Sequence, residues 1–140
     1  MKPITAEQYF AGKPHSKTHD ANARALLLSV NALLAYCETN YRTLLRTCPN
    51  TGTLISGSKG GSGDGGFRLS TATTGASLSS HKEARGIDIF DPVNEIDELL
   101  DVHPELLVKF NLYRETPNAT KTWCHLTTRT PNSGNRTFEI

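Results

Sequence analysis

From Asp20 to about Tyr41 the apolar residues Leu26, Leu27, Val30, Leu33, Leu34 and Cys37 recur at spacings of three, four and seven. That period predicts one long amphipathic helix, capped by Asp20, with a single buried stripe. Asn22, Arg24, Ser29, Asn31 and Glu38 fall mostly off the stripe. Cys37 lies on it and reads as a buried thiol rather than a nucleophile. No chemistry is expected on this helix. It is scaffold, and its stripe needs a partner layer from the rest of the chain.

The flanking segments are short. Residues 4–11 read as a small helix with Thr5 as N-cap and Gln8 completing a capping box. Gly12 to His19 is a polar connection broken by Pro14, which leaves His15 and His19 as exposed loop histidines. Beyond the long helix, Cys48 to Gly52 is turn material and Thr53–Ser56 a short strand. Gly57 to Gly66 holds six glycines. It has a lysine but no phosphate-loop pattern, and reads as a mobile loop, either a lid or a plain linker. Gly86 to Phe90 is a strand in which Ile87 and Ile89 share one face and Asp88 lies on the other. Asp91 and Pro92 open a helix carrying Ile96, Leu99 and Leu100, with the acids Glu95, Asp97 and Glu98 on a solvated face. His103 reads as a cap or surface residue. Pro104 restarts a helix through Leu106, Leu107, Phe110 and Tyr113. Thr116 to Thr120 is a turn, Thr122 to Thr128 a strand, and the polar tail Arg129 to Ile140 carries Arg136-Thr137-Phe138 as a candidate anchor.

These elements predict an α+β fold over residues 1–140 as a single domain. A small antiparallel sheet packs against the long N-terminal helix and further short helices. With 140 residues the chain can bury a core without disulfide staples. A net charge of +1 and the lack of any basic run argue against nucleic acid as a partner. Cys37, Cys48 and Cys124 are odd in number and share no CxxC spacing, so a reducing compartment is expected. No signal peptide and no membrane-spanning run are read in the chain. A monomer is expected.

The chemistry concentrates in Ser79-Ser80-His81-Lys82-Glu83-Ala84-Arg85-Gly86-Ile87-Asp88. A loop histidine and a strand carboxylate can converge on one divalent ion, and Trp123-Cys124-His125 offers a third ligand. An aspartate inside a strand is costly to bury without a metal or donor; the alternative is an edge-strand Asp88 facing water. If the two strands pair, Asp88 and His125 share a face and His81 reaches in from its loop. Two neutral imidazoles and one carboxylate would leave a Zn²⁺ site with Lewis acidity and an open position, which is hydrolase chemistry. A cysteine protease built on Cys124 and His125 is set aside, because adjacent strand residues point to opposite faces.

Ser79-x-His81 with Asp88 seven residues on resembles the SxHxxGxAxD motif of the M15 peptidases. These include D-Ala-D-Ala carboxypeptidases, dipeptidases and phage L-alanyl-D-glutamate endopeptidases, with a fold shared by the hedgehog signalling domain. Trp123-Cys124-His125 resembles the family's WxH segment. Gly66-Phe67-Arg68 and Gly75-Ala76-Ser77 resemble its SGYR…GGAS lead-in. The resemblance spans roughly Leu54 to Leu126. It implies His81, Asp88 and His125 as zinc ligands, Arg68 as the group that stabilises the substrate carbonyl or carboxylate, and Ser79 as a hydrogen-bonding partner of the peptide. The implied substrate is the short peptide of bacterial peptidoglycan. The implied setting is a phage lysin or virion hydrolase, held in the host cytoplasm until release to the cell wall or carried in the virion.

Two departures stand out. The family's Gly-x-Ala pair is reversed here as Ala84-Arg85-Gly86. The general base is also displaced: the glutamate expected three residues before His125 is Thr122, and the histidine of another branch, five before it, is Thr120. Glu115 is the replacement candidate, with Glu83 a second option. Glu115 can equally be a surface glutamate ending a helix. Two functions of different class follow: a zinc peptidase of the cell wall, or a catalytically impaired relative acting as a zinc-stabilised virion or wall-binding module.

Overall fold

The computed structural model describes residues 1–58, 65–72, 79–117 and 122–139. Within them the order is α1 (Ala6–Phe10), α2 (Lys17–Tyr41), a 3₁₀ turn (Ser80–Glu83), β1 (Gly86–Phe90), α3 (Glu95–Val102), α4 (Glu105–Lys109), β2 (Tyr113–Glu115), β3 (Trp123–Thr127) and β4 (Thr137–Phe138). This is the expected α+β architecture, with one long helix and several short ones beside a four-stranded sheet. The sheet is mixed rather than wholly antiparallel. Its order is β1-β3-β2-β4; β1 and β2 run antiparallel to β3, while β4 runs parallel to β2.

The stripe of α2 is buried as its period requires, with Leu26, Val30, Leu33, Leu34 and Cys37 fully covered. They join Ile87, Ile89, Cys124 and Leu126 of the sheet in one core. Each such aliphatic side chain removed from water contributes on the order of 1.5–3 kcal/mol. The helix begins earlier than Asp20. Ser16 Oγ accepts from His19 N at 3.1 Å, and His19 Nδ1 accepts from Ser16 N at 3.2 Å. This reciprocal capping box ties two backbone donors at once, more than Asp20 alone could satisfy. Asp20 instead pairs with Arg24 at 2.9 Å along the helix. His15 is exposed, as expected, and stacks on Phe10; His19 is half-buried against Phe67.

Three further expectations are corrected. Thr53–Ser56 is not a strand, although Ile55 bridges Ile89 and Ser56 N donates to Asp88 O. Thr51 Oγ1 donates to Ile55 O at 2.6 Å, and Thr53 Oγ1 accepts from Ile55 N, so local threonine bonds compete with a ladder. Asp91 and Pro92 do not start α3, whose first residue is Glu95. The Asp91 carboxylate still caps it from a distance, accepting from Ile96 N and Asp97 N. Tyr113 leaves the helix and opens β2, because α4 stops at Lys109 and Asn111 takes a left-handed turn (φ 54°).

The acidic run of α3 is not wholly solvated either. Asp97 is buried and receives Arg114 Nη1 at 3.0 Å, while Arg114 Nη2 donates to Asp101 and to Thr137 Oγ1. A buried guanidinium therefore ties α3 to β2 and β4. His103 lies at the end of α3, paired with Glu105 at 3.1 Å, in the cap position expected of it. The heart of the glycine-rich stretch, residues 59–64, lies outside the described residues, as do Gly75-Ala76-Ser77 and Thr120. No helix among the described residues is long and apolar enough to cross a membrane.

Candidate metal centre

β1 and β3 pair with Asp88 directly opposite His125. Residues opposed in an antiparallel ladder project from the same face, so the register alone sets a carboxylate against an imidazole. The alternate residues Ile87, Ile89, Cys124 and Leu126 project into the core, which holds that register. His81 arrives from the 3₁₀ turn. Ser79 Oγ caps that turn by accepting from His81 N at 3.2 Å, and Ala84 ends it with φ 57°. The reversed small-residue pair thus has a use: Ala84 makes the left-handed exit, and Gly86 lies where a side chain will not fit.

His81, Asp88 and His125 are all buried, and their candidate ligand atoms lie within 4.8 Å of one another. His125 Nδ1 is 2.8 Å from Asp88 Oδ1, and His81 Nε2 is 3.3 Å from the same oxygen. Ligands on a tetrahedral ion with bonds of ~2.0–2.1 Å stand roughly 3.3 Å apart, which the His81–Asp88 separation matches, while His125 and Asp88 stand closer as a hydrogen-bonded pair. The opposite nitrogens are backed as well. His81 Nδ1 donates to Gly66 O at 2.8 Å, and His125 Nε2 lies 3.4 Å from Ser80 Oγ. Such outer bonds orient imidazole ligands toward a metal. The three residues can hold a metal ion.

The electrostatics suit that role. Burial alone would raise the Asp88 carboxyl, but the facing His81 and His125 imidazoles hold it well below the usual carboxylate range. It remains an anion. Arg68 Nη2 lies 3.5 Å from Asp88 Oδ2, and the Arg68 backbone N donates to His81 O. The candidate substrate arginine thus stands at the rim of the cluster.

Glu115 is not a surface residue. It ends β2 and is 7% exposed. β2 pairs with β3 through Tyr113↔Thr127 and Arg114↔Leu126, so the next step of that register would set Glu115 opposite His125, whose charge acts on its carboxyl. Burial pushes its carboxyl up; His125 opposes the rise and the charge of Asp88 adds to it. Glu83, the other option, pairs outward with Arg129 at 3.1 Å. Thr122 is exposed just before β3. Ser79 Oγ accepts from His81 N within the turn, which leaves its own hydroxyl hydrogen as the donor it could offer a peptide.

Three supporting roles carried no sequence signal. Gly66 supplies a carbonyl to His81, and a β-carbon there would sit 2.4 Å from Tyr9 O. Tyr9 donates its buried phenol to Gly86 O at 2.8 Å, fastening α1 beneath the cluster. Ser80 occupies a variable position of the motif. All three act through contacts between residues far apart in the chain, which no local pattern reports. No family model, curated protein or solved structure matches this chain.

Proposed function

We propose that the chain is a zinc-dependent peptidase acting on short peptides of bacterial peptidoglycan, of the D,D-carboxypeptidase or L-alanyl-D-glutamate endopeptidase type. The observation that carries the reading is the buried His81–Asp88–His125 cluster with Glu115 on the neighbouring strand. The donor set of two imidazoles and one carboxylate is that of a hydrolytic zinc site, where the ion supplies Lewis acidity toward a scissile carbonyl.

The protein's own groups divide the remaining work. Arg68 offers a charge-assisted donor to a substrate carbonyl or carboxylate beside the cluster. Glu115 takes the proton of the attacking water on its carboxylate and passes it to the leaving amide nitrogen. The amide C–N bond breaks, hydroxyl adds to the carbonyl carbon, and hydrogen is left on the amine. A carboxyl whose proton is held more tightly than usual suits that relay. The buried place of Glu115 favours a peptidase over a wall-binding module that keeps the metal for stability alone.

The test is digestion of purified peptidoglycan with the zinc-loaded protein and mass spectrometry of the released peptides. New amine ends that vanish on chelation support the reading, and their position names the bond. Zinc uptake without any cleavage favours the binding module.

A further inference from the structure

We infer that Ser80 is a positioning residue that decides which nitrogen of His125 faces the metal site, an inference resting on the metal reading above. The two imidazoles of the cluster are mounted in opposite senses. His81 turns Nε2 toward Asp88 and is backed at Nδ1 by the Gly66 carbonyl, 2.8 Å away. His125 turns Nδ1 toward Asp88 and is backed at Nε2 by the Ser80 hydroxyl, 3.4 Å away.

The two backing groups differ in chemistry. A carbonyl only accepts, so Gly66 keeps a proton on His81 Nδ1 with or without metal and leaves Nε2 open as a ligand. A hydroxyl both donates and accepts. Without metal, His125 keeps its proton on Nδ1, donates it to Asp88, and accepts from Ser80. With metal, Nδ1 must be bare, and the ring proton moves to Nε2. There it needs an acceptor inside the protein, and Ser80 Oγ becomes that acceptor by rotating its own hydrogen away. Ser80 is 5% exposed, so water does not readily replace it.

The fold protects this contact. A β-carbon at Gly86 would lie 2.2 Å from Ser80 Oγ and 3.1 Å from His125 Cε1. Glycine at the head of β1 therefore leaves the space in which hydroxyl and ring meet. The Ser80 carbonyl accepts from Arg85 N at 2.9 Å, which pins the serine backbone at the turn.

The test is zinc titration of the wild type and of Ser80→Ala, with long-range ¹H–¹⁵N spectra of the histidine rings. Ser80→Ala is expected to raise the zinc dissociation constant about 10–100-fold, as loss of an outer bond to a ligand does. Its zinc-free thermal midpoint should fall only modestly, since zinc-free His125 also loses the hydroxyl it accepts from while the fold stays intact. In the wild type the His125 proton should sit on Nδ1 without zinc and on Nε2 with it. Equal zinc affinity in Ser80→Ala, or a proton still on Nδ1 in the loaded wild type, overturns the inference. A wild type that takes up no zinc overturns the metal reading itself, and is distinguished because no variant is involved.

Discussion

Asp88 and His125 face each other across the β1–β3 ladder, His125 Nδ1 2.8 Å from Asp88 Oδ1. The pairing unites two residues 37 positions apart in the chain, with His81, the third candidate ligand, beside them.

Asp88→Asn should retain the fold and lose metal affinity by more than the ~10–100-fold attributed to outer-bond losses, since a ligand itself is gone. The wild type should gain thermal stability on loading, by about 2.7 kcal/mol when free zinc is ~100 times its dissociation constant. Calorimetric titration and thermal melts with and without chelator read both. An Asp88→Asn variant that binds zinc as well as the wild type would remove Asp88 from the site.

Glu115→Gln should keep zinc and lower turnover by roughly 10²–10⁴, the contribution typical of a positioned general base. The amide is nearly isosteric, so stability should change little. Metal analysis beside a peptidoglycan digestion assay checks the pair of outcomes. Full activity in the variant would sink the Glu115 assignment while leaving the metal site standing.

Arg114→Ala should destabilise the fold by about 3–5 kcal/mol, because it strands the buried Asp97 carboxylate. Replacing both partners, as Arg114→Met with Asp97→Leu, should recover much of that loss, since apolar groups leave no buried charge behind. Urea denaturation midpoints at matched slopes measure the difference. A single substitution costing under about 1 kcal/mol would mean the pair is not desolvated as described.

The Cys37 thiol is pushed up from 9.0 to about 11, chiefly by burial. The native state thus holds this proton more tightly than the unfolded chain does. Its contribution to stability is present below about pH 9 and is lost as pH rises through about 11. Chemical denaturation between about pH 8 and 11 should show a falling slope that Cys37→Ala reduces. Alkylation at about pH 8 should also be slow at buried Cys37 and Cys124 until denaturant is added, because only the thiolate reacts.

Much of this was legible in the chain because it is local. The period of Leu26 to Cys37 determined a long helix and its buried face. Alternation around Ile87 and Ile89 determined a strand with Asp88 on the opposite side. Asp88 and His125 could be proposed as partners because each sits at a definite phase of its own strand. What only the tertiary structure decided lies where local preferences are ambiguous or satisfied at a distance. Tyr113 keeps helical spacing with Leu106 and Phe110, yet it pairs with Thr127 in β2, and that switch carries Glu115 from a helix end to the side of His125. Asp97 has the sequence context of a solvated helix face, yet Arg114 draws it inside. Gly66 backs His81, Ser80 backs His125 and Tyr9 fastens Gly86, each through one hydrogen bond from a distant segment. Periodicity reports which side of an element is buried, because that depends on neighbours three or four residues away. Which atoms meet on the buried side depends on strand register and on turns between distant segments, and those are settled only when the whole core packs.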